Sequence, residues 1–361
     1  MSKLDKLVVQ TQKCKTDRIY ITLGYNFGFS LFLYEVEKKL MNINPAAIVL
    51  LSYYKQEYAR TQLQKNIEVT VNPGNTLFSF VSTSSTLLSS LDILFKVIDF
   101  VPKGNFQQIK TEFIQQYKSS YVKNQTSLNL TLLEFIAQNK RFNKDEFNRF
   151  IEELSKEDVE LAQKYLFKGM EFCVHALGGI NESVESEMRK KIVDFDNESY
   201  TKSVFIPLSS RDIIPQKFIY ESKTLSRLLL IHTNPDHINY LEDIFFTYQL
   251  LNEIFSKNSP QIIIDSADMG MILPDISLIM IKDYLNNEDI SNYIGQVKEQ
   301  FIYLLTQKPK LFSEMFVILW LSGINYIDYY EMLESKSVEK YQKVIESVLG
   351  NSTFCSVEIG E

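Results

Sequence analysis

The sequence predicts an α+β protein of two homologous domains, each a mostly antiparallel sheet with helices packed on one face. Three observations carry this. The chain has 361 residues, more than one ordinary core accommodates. It repeats itself once: Ser155-Lys-Glu-Asp-Val159 opens a helix leading to Glu171-Phe-Cys-Val-His-Ala-Leu-Gly178, and Ser335-Lys-Ser-Val338 opens one leading to Thr353-Phe-Cys-Ser-Val-Glu-Ile-Gly360. Hairpin and helix signals come in clusters rather than in strict alternation, which favours α+β over a doubly wound sheet. A weaker echo links Arg18-Ile-Tyr-Ile-Thr-Leu23 to Arg227-Leu-Leu-Leu-Ile-His232. The polar, acidic stretch Asp194–Thr201 reads as the linker, giving domains at 1–195 and 200–361.

Taken in order, Arg18–Leu23 reads as a buried strand and Phe29–Met41 as a helix with Leu31, Leu33, Tyr34 and Val36 on its apolar positions. Ile67–Val71 and Leu77–Ser82 are strands joined by the turn Asn72-Pro-Gly-Asn75. Ser85–Phe100 and Phe106–Tyr121 are amphipathic helices. Ser155, with Asp158 three residues on, caps a later helix, and Phe172–Leu177 closes the sheet. In the second half, Arg227–His232 is a strand, His237–Phe255 a helix and Phe312–Leu321 a buried helix, with a partner face as the other reading of its aromatic residues.

Apolar residues make up 45 % of the chain, and Gly and Pro are sparse, so the cores are well filled. A net charge of −7 leaves no basic surplus for neutralising phosphates, which argues against a nucleic-acid protein. Cys14, Cys173 and Cys355 are odd in number and in no ligand spacing, which fits a reducing, cytoplasmic setting. Met1-Ser-Lys-Leu-Asp-Lys6 holds no signal-peptide core. The longest apolar window, Met315–Leu321, is too short for a transmembrane segment.

Four stretches resemble the insulinase/pitrilysin clan of zinc peptidases, which includes mitochondrial processing peptidase. Ile19–Leu23 with Gly28–Met41 resembles the opening strand and metal helix. Asn66–Asn72, Leu77–Val81 and Leu87–Val101 resemble the edge strand, return strand and long helix. Asn105–Gln116 resembles the acidic helix, and Leu154–Gly179 the closing segment. The second half resembles the clan's non-metal repeat. The resemblance implies a half clam-shell and an inverted zinc motif, H-x-x-E-H, in which two His bind metal and the Glu activates water. Aligned this way, the motif positions fall on Leu31, Tyr34 and Glu35, and the third ligand on Gln116. None of the four fits its role. The stretch Leu251–Ile264 also lacks the Arg and Tyr that active members use. The expectation is therefore a catalytically inactive subunit with no metal and no cofactor. It pairs with a zinc-bearing homologous peptidase subunit as a heterodimer around a peptide substrate. Bacterial pairs that mature ribosomally made peptides such as bacteriocins are the nearest analogy. The alternative is a stand-alone pseudopeptidase that binds extended peptides by strand addition. In both, the peptide lies beside Val69, Thr70, Val71 and Asn72, where the clan places its substrate.

Other constellations have plainer readings. His232, Asp236 and His237 flank a turn and read as a strand end and a helix cap rather than metal ligands. Ser82, Ser84, Ser85, Ser89 and Ser90 read as helix capping, because a serine nucleophile needs a base beside it. Gly178-Gly179 lacks a strand–glycine–helix fingerprint and reads as a turn.

Overall fold

The computed structural model describes residues 7–11, 17–29, 33–72, 74–121, 144–195, 201–203, 219–220, 226–233, 241–255, 261–265, 268–274, 281, 285, 290–324, 326–335 and 337–359. These form two compact units. One holds the described residues of 1–205 together with Pro309–Leu321; the other holds those of 206–308 and 322–361. The second-half segment Pro309–Leu321 therefore belongs with the first unit, which a boundary near 195–200 does not anticipate.

The first unit's main sheet has the order β1-β7-β2-β6-β5, where β1 is Leu7–Thr11, β2 Arg18–Tyr25, β5 Glu68–Val71, β6 Thr76–Thr83 and β7 Phe172–Gly178. All pairs are antiparallel except β1 with β7. The second unit's sheet has the order β11-β12-β10-β13-β9, with β9 Ile219–Tyr220, β10 Ser226–Thr233, β11 Gln261–Asp265, β12 Asp268–Pro274 and β13 Ser352–Ile359. Here only β13 with β9 is parallel. Read from the other end, this is the same sheet: β9, β13, β10, β12 and β11 stand where β1, β7, β2, β6 and β5 stand. The two Phe-Cys segments are β7 and β13, each beside the echoed strands β2 and β10.

The first unit corrects the expectation of helices on one face. Helices α1 (Pro45–Thr61) and α2 (Leu87–Asp99) share a core with Ile19, Ile21, Leu23, Phe78 and Phe80. The helix Pro309–Leu321, here α9, contacts β2 and β7. Gly24, whose β-strand neighbours point the other way, faces it: a Cβ there would meet Val317 Cγ1 at 2.3 Å. Strand residues alternate between faces, so α9 covers the second face. Its Phe312, Phe316, Val317 and Leu319 are buried, the apolar face that a packed helix turns inward.

The remaining helices are α3 (Phe106–Tyr121), α4 (Lys144–Glu153), α5 (Lys156–Ala162) and α6 (Glu182–Phe195) in the first unit. In the second they are α7 (Leu241–Ile254), α8 (Ile290–Gln307), α10 (Tyr326–Ser335) and α11 (Val338–Gly350). Ser155 and Asp158 form the capping box expected of them. Gly178 ends β7 ahead of the bend at Gly179, with φ 150°, and a Cβ there would sit 2.7 Å from the Arg18 carbonyl. The serine cluster does not cap α2 by side chain. Thr86 is the N-cap and makes no side-chain cap bond; Ser82 Oγ instead bonds Thr86 and Ser90 at 3.1 and 3.0 Å.

His175, on β7, is fully buried against α9. Its Nδ1 lies 2.8 Å from Ser313 Oγ, and its ring stacks on Phe316 with centroids 4.1 Å apart. Nε2 is buried with no hydrogen-bond partner among the described residues. Burial pushes its pKa from 6.5 down to about 3. The unfolded chain therefore binds this proton in a range where the folded chain does not. The contribution to stability is intact above about pH 6.5 and is lost as pH falls toward about 3, at up to about 1.4 kcal/mol per pH unit. Denaturant titrations at about pH 7 and pH 5 should show a loss near 2 kcal/mol from this group. His175→Asn should flatten that part of the pH dependence; an unchanged slope in the variant would remove the assignment.

Candidate functional site

The first helix after the opening strand is α1, not 29–41. Residues 33–42 form the hairpin of β3 (Leu33–Val36) and β4 (Lys39–Asn42), and β3 also pairs β8 (Thr201–Ser203) in a small sheet ordered β4-β3-β8. Tyr34 and Val36 are buried while Leu33 and Glu35 are half-buried, a period of two rather than 3.6. The turn is made by Glu37 and Lys38 at φ 50° and 67°, without the Asn-Gly that usually marks such a turn. The assignment of Tyr34 and Glu35 to a metal helix is thus wrong: both lie on β3, and Leu31 lies outside the described residues. Tyr34 is fully enclosed, and desolvation raises its pKa far above that of an ordinary phenol.

The signals that locate α1 are Asn44 and Pro45. Asn44 Oδ1 accepts from Ala46 N at 2.9 Å, and Pro45 sits at the first helical turn, where its missing N–H costs nothing. On the inward side of α1, the spacing that would set two His and a Glu one turn apart falls on Ile48, Leu51 and Ser52, all buried. The helix carries no histidine, and its single carboxylate, Glu57, is paired with Arg60 at 2.5 Å. Gln116, the expected third-ligand position, is exposed on α3. The α3 carboxylate that reaches α1 is Glu112, which accepts from Tyr54 OH at 3.2 Å. The whole sequence has three histidines, His175, His232 and His237, and none stands four residues from another as H-x-x-E-H requires. Among the described residues no group of three or more His, Cys, Asp and Glu could hold a metal ion. His232 lies on β10, and Asp236 and His237 lie outside the described residues. The described residues do not fit zinc.

One turn further along α1, Lys55 is fully buried. Its ammonium donates to Ile98 O, Phe100 O and Gln163 Oε1 at 2.5, 2.6 and 2.7 Å, and sits 4.5 Å from the Phe167 ring centre. Desolvation pushes its pKa well below that of an ordinary lysine, with Asp99 acting against the shift. All three donors are used, so this lysine terminates α2 and joins it to α1 and to the wide turn Gln163–Phe167. It has no free proton to offer a substrate.

Beside α1 lies the edge of the main sheet. β5 is the terminal strand, with β6 as its only partner among the described residues. Val69 N donates to Gln56 Oε1 of α1 at 3.0 Å, and Asn72 N donates to Asn75 O at 2.8 Å. These two bonds fix the parity of the ladder. Glu68, Thr70 and Asn72 turn their main-chain groups toward β6, while Val69 and Val71 turn theirs outward. Of the expected peptide contacts, Val71 therefore presents an outward N–H and C=O, Val69 an outward C=O, and Thr70 neither. Asn72 O accepts from Phe29 N at 3.1 Å.

A chain-long pair of matched sheets with a helix and an open edge at one side has known counterparts. An M16-like peptidase from Alicyclobacillus acidocaldarius superposes with TM-score 0.74, covering 99 % of this chain and 97 % of its own, at 11 % identity. The fold is that of the M16 peptidases. A protease from Helicobacter pylori gives 0.67 at 12 % identity over 98 % and 96 % of the two chains. A peptidase M16 inactive domain from Pseudomonas fluorescens gives 0.66 at 10 % identity over 98 % and 94 %. No family model matches the sequence, and no curated protein matches it either. The fold of the M16 peptidases is present here, and among the described residues no cluster of His, Cys, Asp and Glu accompanies it that could hold a metal ion. Among the described residues no helix is long and apolar enough to cross a membrane. The purified protein is expected to hold no stoichiometric zinc. Elemental analysis after chelator-free purification checks this, and about one tightly held ion per chain would contradict it.

Proposed function

We propose that this chain is a non-catalytic M16-type subunit that holds extended peptides along β5 and completes the peptide chamber of a zinc-bearing homologue. The observation that carries the reading is the open edge of β5 beside an α1 stripped of ligands, within a fold matched over nearly its whole length. Strand addition supplies binding through main-chain hydrogen bonds and asks nothing of catalytic side chains. An unpaired edge is a liability unless something covers it, and a peptide substrate does so. Maturation of bacterial peptides such as bacteriocins, by a cytoplasmic heterodimer, is the process this reading favours.

Co-expression with a homologue from the same genome that keeps H-x-x-E-H tests the pairing. The expected result is a one-to-one complex by size, with cleavage of extended peptides needing both chains. A homologue fully active alone, with no complex at micromolar concentration, rejects it. The stand-alone peptide binder then takes its place, because the edge of β5 needs no second chain to accept a strand.

A further inference from the structure

We propose that the groove at the end of the first sheet, where β6 runs on past the start of β5, is a pocket for the carboxylate of an extended peptide. It rests on the peptide-holding reading and adds the class of peptide selected. β6 continues to Thr83, whereas its pairing with β5 stops at Ser79 opposite Glu68. By the same ladder parity, Val81 turns its N–H and C=O to the side that β5 has vacated. Its side chain is 47 % exposed. The chain before β5 bends away, leaving a groove of about 290 Å³.

The walls of this groove mix apolar residues, Ile67, Phe80 and Ile93 among them, with polar and charged ones. Lys65 follows Gln64, whose φ of 52° turns the chain off the end of α1, and Lys65 N donates to Ala59 O at 2.9 Å. The lysine is thus held by its backbone while its side chain stays exposed. Its ammonium makes no ion pair among the described residues. Lys310 enters from α9 and is committed to Glu68, with Glu314 at 3.8 Å. Ser82, Thr86 and Ser90 bond among themselves on the opposite wall. Of the three charged side chains that line the groove, Lys310 is shared between Glu68 and the neighbouring Glu314, and Lys65 stands apart from that pair. An open strand edge that ends beside an exposed ammonium, unpaired among the described residues, matches a peptide that ends in, or carries, a carboxylate.

Fluorescence anisotropy with short, N-terminally labelled extended peptides tests this. One peptide ends in a free carboxylate, a second in an amide, and a third in an aspartate followed by an amide. The free-carboxylate peptide should bind the wild-type chain about tenfold more tightly than the amide, with the advantage shrinking at high salt. Lys65→Glu, at an exposed position, should abolish the advantage and leave the amide peptide unaffected. Equal binding of the aspartyl-amide peptide and the free-carboxylate peptide assigns the preference to any carboxylate; weaker binding of the former assigns it to the chain terminus. Measurable binding of the amide peptide supports the peptide-holding reading by itself. Equal affinity for carboxylate and amide, or an advantage that survives Lys65→Glu, overturns the pocket. Absence of binding by all three overturns both.

Discussion

Lys55→Ala is expected to destabilise the first unit by about 3–5 kcal/mol. The change strips donors from Ile98 O, Phe100 O and Gln163 Oε1 at once. Each buried acceptor left unsatisfied costs about 1–3 kcal/mol, and the lost stem opens a cavity beside Phe167. Gln163 Nε2 still donates to Ile98 O at 3.0 Å, so the loss at that carbonyl is partial. Lys55→Met separates the two causes, because it keeps most of the volume and removes the donors. It should recover the cavity share and leave a deficit of about 2 kcal/mol. Denaturant midpoints of the three proteins check this; a Met variant as stable as wild type would show that the ammonium contributes nothing net, an outcome documented for some buried charges.

The second large effect is at Gly24. A Cβ there would lie 2.3 Å from Val317 Cγ1 and 2.9 Å from Leu77 Cδ2, both far inside van der Waals contact. Gly24→Val must therefore push α9 off β2 or buckle the strand, at a cost of about 3 kcal/mol. The result predicted is a lowered midpoint together with faster proteolysis around 309–321. The paired change Gly24→Val with Val317→Ala should restore part of the loss, since the nearest colliding atom is removed. No recovery in the pair would mean that Val317 is not the contact that requires glycine, leaving Leu77 and Leu321.

Several features were legible in the chain because local chemistry declares them. The Phe-Cys echo and the paired opening strands fall on matching strands of the two sheets, the Ser155 cap follows from its Asp158, and the β5–β6 hairpin from Asn72-Pro-Gly-Asn75. The misplaced metal helix has a physical cause. Residues 29–36 are apolar nearly throughout, so periodicity does not separate strand from helix. The turn at Glu37-Lys38 also uses residues that do not advertise positive φ. The stronger signal, Asn44-Pro45 ahead of an alanine pair, lay a few residues on. The role of α9 was beyond local reading: its apolar surface says that it is buried, but not that the covering sheet belongs to the other half of the chain. Thr70, equally, reads as an edge residue, whereas only the ladder parity set by Gln56 and Asn75 shows that its N–H is spent on β6.

That parity supplies the most direct measurement of the central claim, that the chain holds extended peptides without cutting them. Labelled extended peptide is incubated with the purified chain, its binding is followed by anisotropy, and the recovered peptide is weighed by mass spectrometry. The prediction is saturable binding with the peptide intact, unaltered by chelator. Val71→Pro, which removes an outward donor, should weaken binding about fivefold at little cost to folding. Thr70→Pro breaks the ladder to β6 and should cost stability instead. Chelator-sensitive cleavage by the unmodified chain, or binding indifferent to Val71→Pro, would contradict the account.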